Sequence, residues 1–164
     1  MRLFVTFIFV LLCTNTIQAQ RSLLVDNNIG ATAGALKFLN LEDAIQAAQA
    51  GDVIYLTPST DGYVWPSDNL PLRDKGNYTI KGAGLNTDLE SEFTNTRSII
   101  TNKVEAGGAG SNVSEFVEFD GIVFQGGLTL TQANSYFIKN STIYDRLEMA
   151  ALQQTRFENN IMLL

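Results

Sequence analysis

The hydrophobic positions of this chain follow one period near its beginning and a different period afterwards. Within residues 36–50, four apolar residues are spaced as one face of an α-helix: Leu41, Ala44, Ile45 and Ala48. Asn40 is suited to the N-cap of this helix and Gly51 to its end, so the pattern predicts one helix here. After Gly51, short apolar runs alternate with Gly, Asn, Asp and Ser, and Val53–Leu56 reads as the first strand.

The short apolar runs recur with a 19-residue period. Three segments read apolar, charged, Gly or Asn, any, any, apolar, and they occupy residues 119–124, 138–143 and 157–162. Two further strand-like runs, 128–130 and 147–149, keep the same spacing. Two weaker copies begin at Ile100 and at Ile80. We place Ile80 about two repeats before Phe119. Such self-similarity predicts a repeat architecture.

A repeat that is too short to bury its own apolar side can stack on copies of itself. Equivalent strands then lie parallel and about 4.8 Å apart, with their apolar side chains inside. The sequence therefore predicts an all-β fold, a parallel β-helix or solenoid with about 19-residue coils and one N-terminal capping α-helix. Residues 53–164 leave room for five or six such coils.

Two positions of the repeat carry specific expectations. The Gly or Asn position fits a sharp turn, because both residue types tolerate left-handed backbone angles, and it holds Gly121, Asn140 and Asn159. The two asparagines could form a hydrogen-bonded ladder. The charged position would stack as minus, plus and minus on the outer wall, through Asp120, Lys139 and Glu158.

Residues 1–19 form a separate segment. Arg2 is followed by an apolar run that reaches Cys13, and a small residue, Ala19, closes the segment. This arrangement is typical of a secretory signal peptide, and the run is too short to span a bilayer comfortably. We expect cleavage near Ala19 and a domain over 20–164 that is extracellular or at the cell surface, without membrane attachment. A buried strand or an uncleaved anchor is the alternative.

Composition excludes several classes of function. Of the 164 residues, 11 are Lys or Arg and 17 are Asp or Glu, so the net charge of -6 argues against a nucleic-acid partner. The chain has no histidine, which removes Ser-His-Asp and Cys-His catalysis and every His-ligated metal site. Its one cysteine, Cys13, cannot form an intrachain disulfide.

Several segments resemble a known superfamily. The opening segments 25–31 (VDNNIGA), 41–45 (LEDAI) and 50–56 (AGDVIYL) look like the beginning of secreted right-handed parallel β-helix proteins, the pectate-lyase-like superfamily. Segments 80–84 (IKGAG) and 119–122 (FDGI) look like its coil motifs. The resemblance implies a right-handed solenoid whose opening helix plugs one end, and a polysaccharide partner. These motifs are structural, so whether the chain is an enzyme stays open.

No catalytic set is visible in the sequence. Lyases of this superfamily use an acidic calcium cluster with an Arg or Lys base, and its glycosidases use carboxylates on neighbouring coils. On the strands before the Asn turns, Thr129 is equivalent to Glu148, and only Glu148 and nearby Arg146 are charged, which is typical of a surface pair.

Two groups are candidate binding residues. Three acids at alternate positions would share one face of a strand and could hold calcium through oxygen ligands, namely Asp88, Glu90 and Glu92. A solvated acidic loop is the alternative. Tyr63 and Trp65 lie close together in the first loop and could bind carbohydrate by stacking on a sugar ring. Alternatively, Trp65 covers the edge of the first coil.

The sequence stops within an apolar strand-like run at residues 160–164, with no cap in view. We expect a continuation of the chain, or a partner, to cover this last coil. The function predicted is the N-terminal part of a polysaccharide-binding or polysaccharide-degrading protein. The alternative is a non-catalytic extracellular surface, adhesion or structural protein.

Overall fold

The computed structural model describes residues 20–66, 77–84, 97–106, 114–131, 133–150 and 154–163. This part of the chain is mostly parallel β-sheet with one short helix, α1 (Leu41–Ala47), so the all-β prediction is confirmed. The strands are β1 (Ser22–Val25), β2 (Lys37–Phe38), β3 (Val53–Leu56), β4 (Tyr78–Lys81), β5 (Ser98–Ile100), β6 (Val104–Ala106), β7 (Ser114–Asp120), β8 (Ile122–Phe124), β9 (Leu128–Thr131), β10 (Ala133–Lys139), β11 (Thr142–Tyr144), β12 (Leu147–Ala150), β13 (Gln154–Glu158) and β14 (Ile161–Leu163).

The strands form three parallel sheets, and the chain visits these sheets in turn. The first sheet has the order β13-β10-β7-β4-β3-β1-β2, the second β14-β11-β8-β5 and the third β12-β9-β6. From β4 onward the chain passes from the first sheet to the second and third and then returns. Each return adds a parallel strand beside its predecessor, which is compatible with a β-helix or solenoid.

The 19-residue repeat sets the register of the later strands. Ile138 lies between Phe119 and Phe157 in the first sheet. Ile143 lies between Phe124 and Met162 in the second sheet. In the third sheet, Leu128–Thr131 pairs with Leu147–Ala150 at the same spacing. The equivalent positions predicted from the repeat are therefore neighbours in space.

The two weaker copies were aligned wrongly by the sequence pattern. Ile80 pairs directly with Phe119, so these two positions are one coil apart rather than two. Ile100 pairs with Phe124 in the second sheet and is not equivalent to Phe119. The stretch before β7 is longer than the later repeats, and it moves the apolar positions off the 19-residue spacing.

The core lies between the sheets and is closed at one end by α1. One inward row of the first sheet is fully buried and in register, and it consists of Leu23, Ile54, Ile80, Phe119 and Ile138. The predicted apolar face of α1 joins this core, and the helix packs against β1 and β2 at the edge of the first sheet. Asn40 caps the helix as predicted, because its Oδ1 accepts from the backbone N of Asp43 at 2.8 Å.

Positive φ angles confirm the predicted turn position. Gly121, Asn140 and Asn159 have φ values of 71°, 49° and 50°. The asparagine ladder is also present, since Asn159 Nδ2 donates to Asn140 Oδ1 at 3.5 Å. Asn140 Nδ2 in turn donates to Asp120 Oδ1 at 2.8 Å. One residue type thus supplies both the backbone angle and a bond along the stack.

Substitutions of Asn140 should separate these two contributions. We expect Asn140→Ala to lower the free energy of unfolding by about 2 kcal/mol, because alanine bears the left-handed strain and loses the side-chain hydrogen bonds. Asn140→Gly should cost about half as much, because glycine adopts the same φ without strain. Urea denaturation of both variants measures the difference. Equal losses would show that the left-handed angle contributes nothing to the preference for asparagine.

The buried carboxylate of Asp52, directly before β3, bonds to Arg21 near the beginning of the described chain. Asp52 is almost fully buried and accepts from the backbone N of Gln49 at 2.7 Å. The guanidinium of Arg21 donates to both of its oxygens at 2.5–3.2 Å. Burial raises the pKa of Asp52, but the hydrogen bonds from Arg21 and Gln49 outweigh burial and leave this pKa below its usual value.

The layer formed by β12, β13 and β14 stands at the other end of the stack. Each of these strands pairs with one neighbour only within the described residues, and three apolar side chains of the layer are exposed, Met149, Met162 and Leu163. That a continuation of the chain or a partner covers this layer stays a prediction.

Candidate functional site

Two grooves open near the end of the stack that α1 covers. One, of about 510 Å³, is lined by residues that include Asp26, Asn28 and Thr57, and we call it the Asp26 groove. The other, of about 370 Å³, lies between the beginning of α1 and residues 62–66, and we call it the cap groove.

The Asp26 carboxylate is already engaged by neighbouring side chains. Asp26 Oδ1 accepts from Asn28 Nδ2 at 2.9 Å and from Thr57 Oγ1 at 3.3 Å, and Lys37 Nζ lies 2.9 Å from Oδ2. The hydrogen bonds from Lys37 and Asn28 lower the pKa of Asp26 to about 2. This carboxylate is therefore a structural tie between loops.

Backbone and side-chain bonds to the second sheet hold the wall of the cap groove in place. Tyr63 forms a bridge beside β5, in which its N donates to Ile99 O at 2.7 Å and its O accepts from Thr101 N at 2.9 Å. Asn102 then fixes Trp65 from both sides, since its Oδ1 accepts from Trp65 N at 2.6 Å and its Nδ2 donates to Trp65 O at 2.9 Å. The segment is thus fixed by atoms far away in sequence.

Both aromatic residues that the sequence singled out line the cap groove, and both are 2% exposed. Tyr63 OH bonds to Val25 O at 3.0 Å, and burial raises the pKa of this phenol. The Trp65 ring meets the edge of Phe119 at 6.0 Å between centroids. The burial of Trp65 agrees with the alternative that this ring covers the edge of the first coil. It gives no support to stacking on a sugar ring, which stays a prediction.

Two polar atoms of the cap groove have no hydrogen-bond partner within the described residues. They are the indole nitrogen Nε1 of Trp65, a donor, and Oδ1 of Asn27, an acceptor. The other amide atom of Asn27, Nδ2, donates to Gly62 O at 2.6 Å, which fixes the orientation of the side chain. An unsatisfied buried polar group costs about 1–3 kcal/mol, so each atom would gain from a ligand partner.

Apolar side chains form the accessible walls of the cap groove. Val64 is 66% exposed and Leu39 is 42% exposed, and both line it. Among the described residues of the lining, Glu42 supplies the only carboxylate, and none is Lys or Arg. A donor, an acceptor and two apolar walls together suit a ligand that carries hydroxyl groups on a C–H framework, as sugars do.

The outer face of the first sheet carries the predicted charge ladder. Lys139 lies in register between Asp120 and Glu158, which gives the expected order of minus, plus and minus. Its ammonium is 2.7 Å from Glu118 and 3.7 Å from Asp120, whereas Glu158 pairs with Arg156. The carboxylates on this face are held by cations.

The third sheet has a similar arrangement around Glu148. Arg146 lies 2.5 Å from this carboxylate and confirms the predicted surface pair, and Lys103 lies 3.7 Å away. The hydrogen bond from the Thr129 hydroxyl, followed by the charges of Arg146 and Lys103, lowers the pKa of Glu148. A carboxylate held in its ionised form is a poor proton donor near neutral pH.

The predicted calcium ligands Asp88, Glu90 and Glu92 lie outside the described residues, so this site stays a prediction. Within the described ranges, no group of three or more acidic, His or Cys side chains could hold a metal ion. The same ranges contain no helix with the length and apolarity needed to cross a bilayer.

Comparison of the chain with protein-family models, with curated proteins and with solved structures found no significant match. The likeness to the pectate-lyase-like superfamily therefore rests on the sequence motifs, and the stacked parallel sheets are compatible with it.

Proposed function

We propose that this chain is the N-terminal part of a secreted, right-handed parallel β-helix protein of pectate-lyase-like type, and that it binds a polysaccharide in the cap groove. The predicted signal peptide over residues 1–19 and the repeated passage through three sheets support the cellular context and the fold. The observation that carries the binding function is the unpartnered Trp65 Nε1 and Asn27 Oδ1 in one groove, both without a partner among the described residues.

A sugar satisfies both of these atoms. Its hydroxyl groups donate and accept hydrogen bonds, and the C–H faces of its ring suit the apolar walls at Val64 and Leu39. Trp65 Nε1 and Asn27 Oδ1 are covered in this structure, so a hydroxyl reaches them only when the groove floor opens. Binding should therefore change the surroundings of the indole.

A second function, that of a non-catalytic extracellular surface or adhesion protein, is favoured by the ion pairs on the outer faces. The carboxylates of Glu118, Glu148 and Glu158 each have a cation beside them, which suits a structural wall better than proton transfer. Polysaccharide binding in the cap groove is compatible with this function and with that of an enzyme whose catalytic residues lie elsewhere.

Trp65 is the only tryptophan of the chain, so its fluorescence reports directly on the cap groove. We expect polysaccharide titration to shift this fluorescence in a saturable way. Val64→Asp should weaken the binding at least tenfold, because it puts a hydrated charge on an apolar wall of the groove.

Ile29→Asp is the matched control for this variant. Ile29 is a fully exposed β-branched residue at the same end of the molecule, and it lies outside the cap groove. Its replacement should leave the titration unchanged. If no polysaccharide shifts the fluorescence, or if the two variants bind equally well, the proposed function is wrong.

A further inference from the structure

The unpartnered polar atoms and the charge of the cap groove bear on which kind of polysaccharide it can bind. Resting on the proposed function, we propose that this groove takes a neutral sugar through its hydroxyl groups, and that it rejects sugars that carry a carboxylate. Three properties lead to this selection: the groups of the groove that remain free, the charge that lines it and the net charge of the chain.

Most polar groups of the groove are committed to the protein itself. Both amide atoms of Asn102 bond to the backbone of Trp65. Asn40 Oδ1 accepts from the backbone N of Asp43, and Asn40 Nδ2 donates to Asp43 Oδ2 at 2.9 Å. The phenol of Tyr63 is bonded to backbone oxygens. Among the described residues that line the groove, the buried atoms without a partner are one donor, Trp65 Nε1, and one acceptor, Asn27 Oδ1, and a ligand reaches them only when the groove opens.

One donor and one acceptor together match hydroxyl chemistry. A group that faces Asn27 Oδ1 must donate a hydrogen bond, whereas an ionised carboxylate can only accept one. A hydroxyl group does both and satisfies either atom. A uronate carboxylate would bond to Trp65 Nε1 at best and would leave Asn27 Oδ1 unpaired, so an acidic sugar satisfies this pair only through its remaining hydroxyl groups.

The charge of the groove acts in the same direction. Glu42 lines it, and Gln46 Nε2 donates to Glu42 Oε1 at 3.2 Å, which leaves the carboxylate charge in place. No Lys or Arg in the described part of the chain lines this groove to balance a second negative charge. The net charge of -6 on the chain further disfavours the approach of a polyanion at low salt.

Titration of Trp65 fluorescence with two sets of oligosaccharides of equal length tests this inference. Neutral xylo-, cello- and laminari-oligosaccharides form one set, and oligogalacturonates and oligoalginates form the other. We expect at least one neutral ligand to bind tenfold or more tightly than every acidic ligand. Glu42→Gln should strengthen acidic binding relative to neutral binding by about two- to fivefold at low salt.

The outcomes separate the inference from the function on which it rests. Saturable binding of acidic ligands alone, abolished by Val64→Asp, would overturn the inference and leave polysaccharide binding intact. A neutral preference that Glu42→Gln does not alter, with no acidic binding in either protein, would support hydroxyl recognition and overturn the contribution of charge. If neither set of oligosaccharides changes the Trp65 fluorescence, both proposals are overturned.

Discussion

Gly121→Ala is expected to lower the free energy of unfolding by about 3–5 kcal/mol, for two reasons. Alanine is strained at the left-handed φ of this position, and its methyl group would overlap with neighbouring backbone atoms. Gly121 has a φ of 71°, and a Cβ built there would lie 2.5 Å from Gly84 N. The backbone segments around Gly121 and Gly82 are equally close on the other side, since a Cβ on Gly82 would lie 2.3 Å from Gly121 O. Backbone atoms cannot swing aside as a long side chain can, so neighbouring strands would have to separate.

Gly51→Ala separates the two causes of this loss. Gly51 has a φ of 86°, but a Cβ there meets nothing within 4 Å. This variant should cost about 1–2 kcal/mol, which is the strain of the left-handed angle alone. Urea denaturation of both proteins gives the comparison. If Gly51→Ala costs as much as Gly121→Ala, close packing of the backbones is not what the stack requires at Gly121.

Asp52→Asn is the second substitution with a large expected effect, about 3 kcal/mol. The variant keeps the shape of the side chain but places an uncharged amide against the Arg21 guanidinium, and the amide nitrogen cannot accept the hydrogen bonds that a carboxylate oxygen accepted. Glu158→Gln is the control, because its partner Arg156 is largely exposed and exposed pairs contribute little. We expect that control to cost less than about 0.5 kcal/mol.

The unfolding free energy at acid pH gives an independent measure of what the Asp52 carboxylate contributes to stability. The pKa of Asp52 is lower in the folded protein than its usual value near 3.8, so its contribution to stability is complete above that value. The contribution disappears as the pH falls through the lowered pKa. Asp26, with its pKa of about 2, acts in the same direction. Asp52→Asn should therefore flatten the decline in unfolding free energy below about pH 4. An unchanged slope would show that Asp52 does not drive the acid sensitivity.

The repeat could be recognised from sequence where the turns are short and equal. Between β7 and β14 each Gly or Asn turn takes the same φ region, so the 19-residue spacing carries over directly into strand register. Before β7 the spacing is longer and uneven, since Ile80 pairs with Phe119 and Ile100 pairs with Phe124. Periodicity reports register only while the length of chain between equivalent strands stays constant.

The cap groove was only partly accessible to sequence reasoning. Tyr63 and Trp65 were found because aromatic residues in a polar loop stand out, but local pattern could not decide whether their rings face the core. Asn27 was missed because a loop asparagine is an ordinary turn residue. It becomes a groove residue only when long-range packing brings Gly62, 35 positions away, within hydrogen-bonding distance.

The connectivity of the sheets also determines how quickly this chain can fold. From β3 onward each strand pairs with a strand at least one full coil away in sequence, and the longest separation is that between β4 and β7. Closing such loops loses chain entropy before any strand contact is gained, and folding rates fall as the sequence separation of contacts grows. The slowest step is therefore expected at the β4–β7 pairing, after which the 19-residue coils can add one upon another with shorter searches.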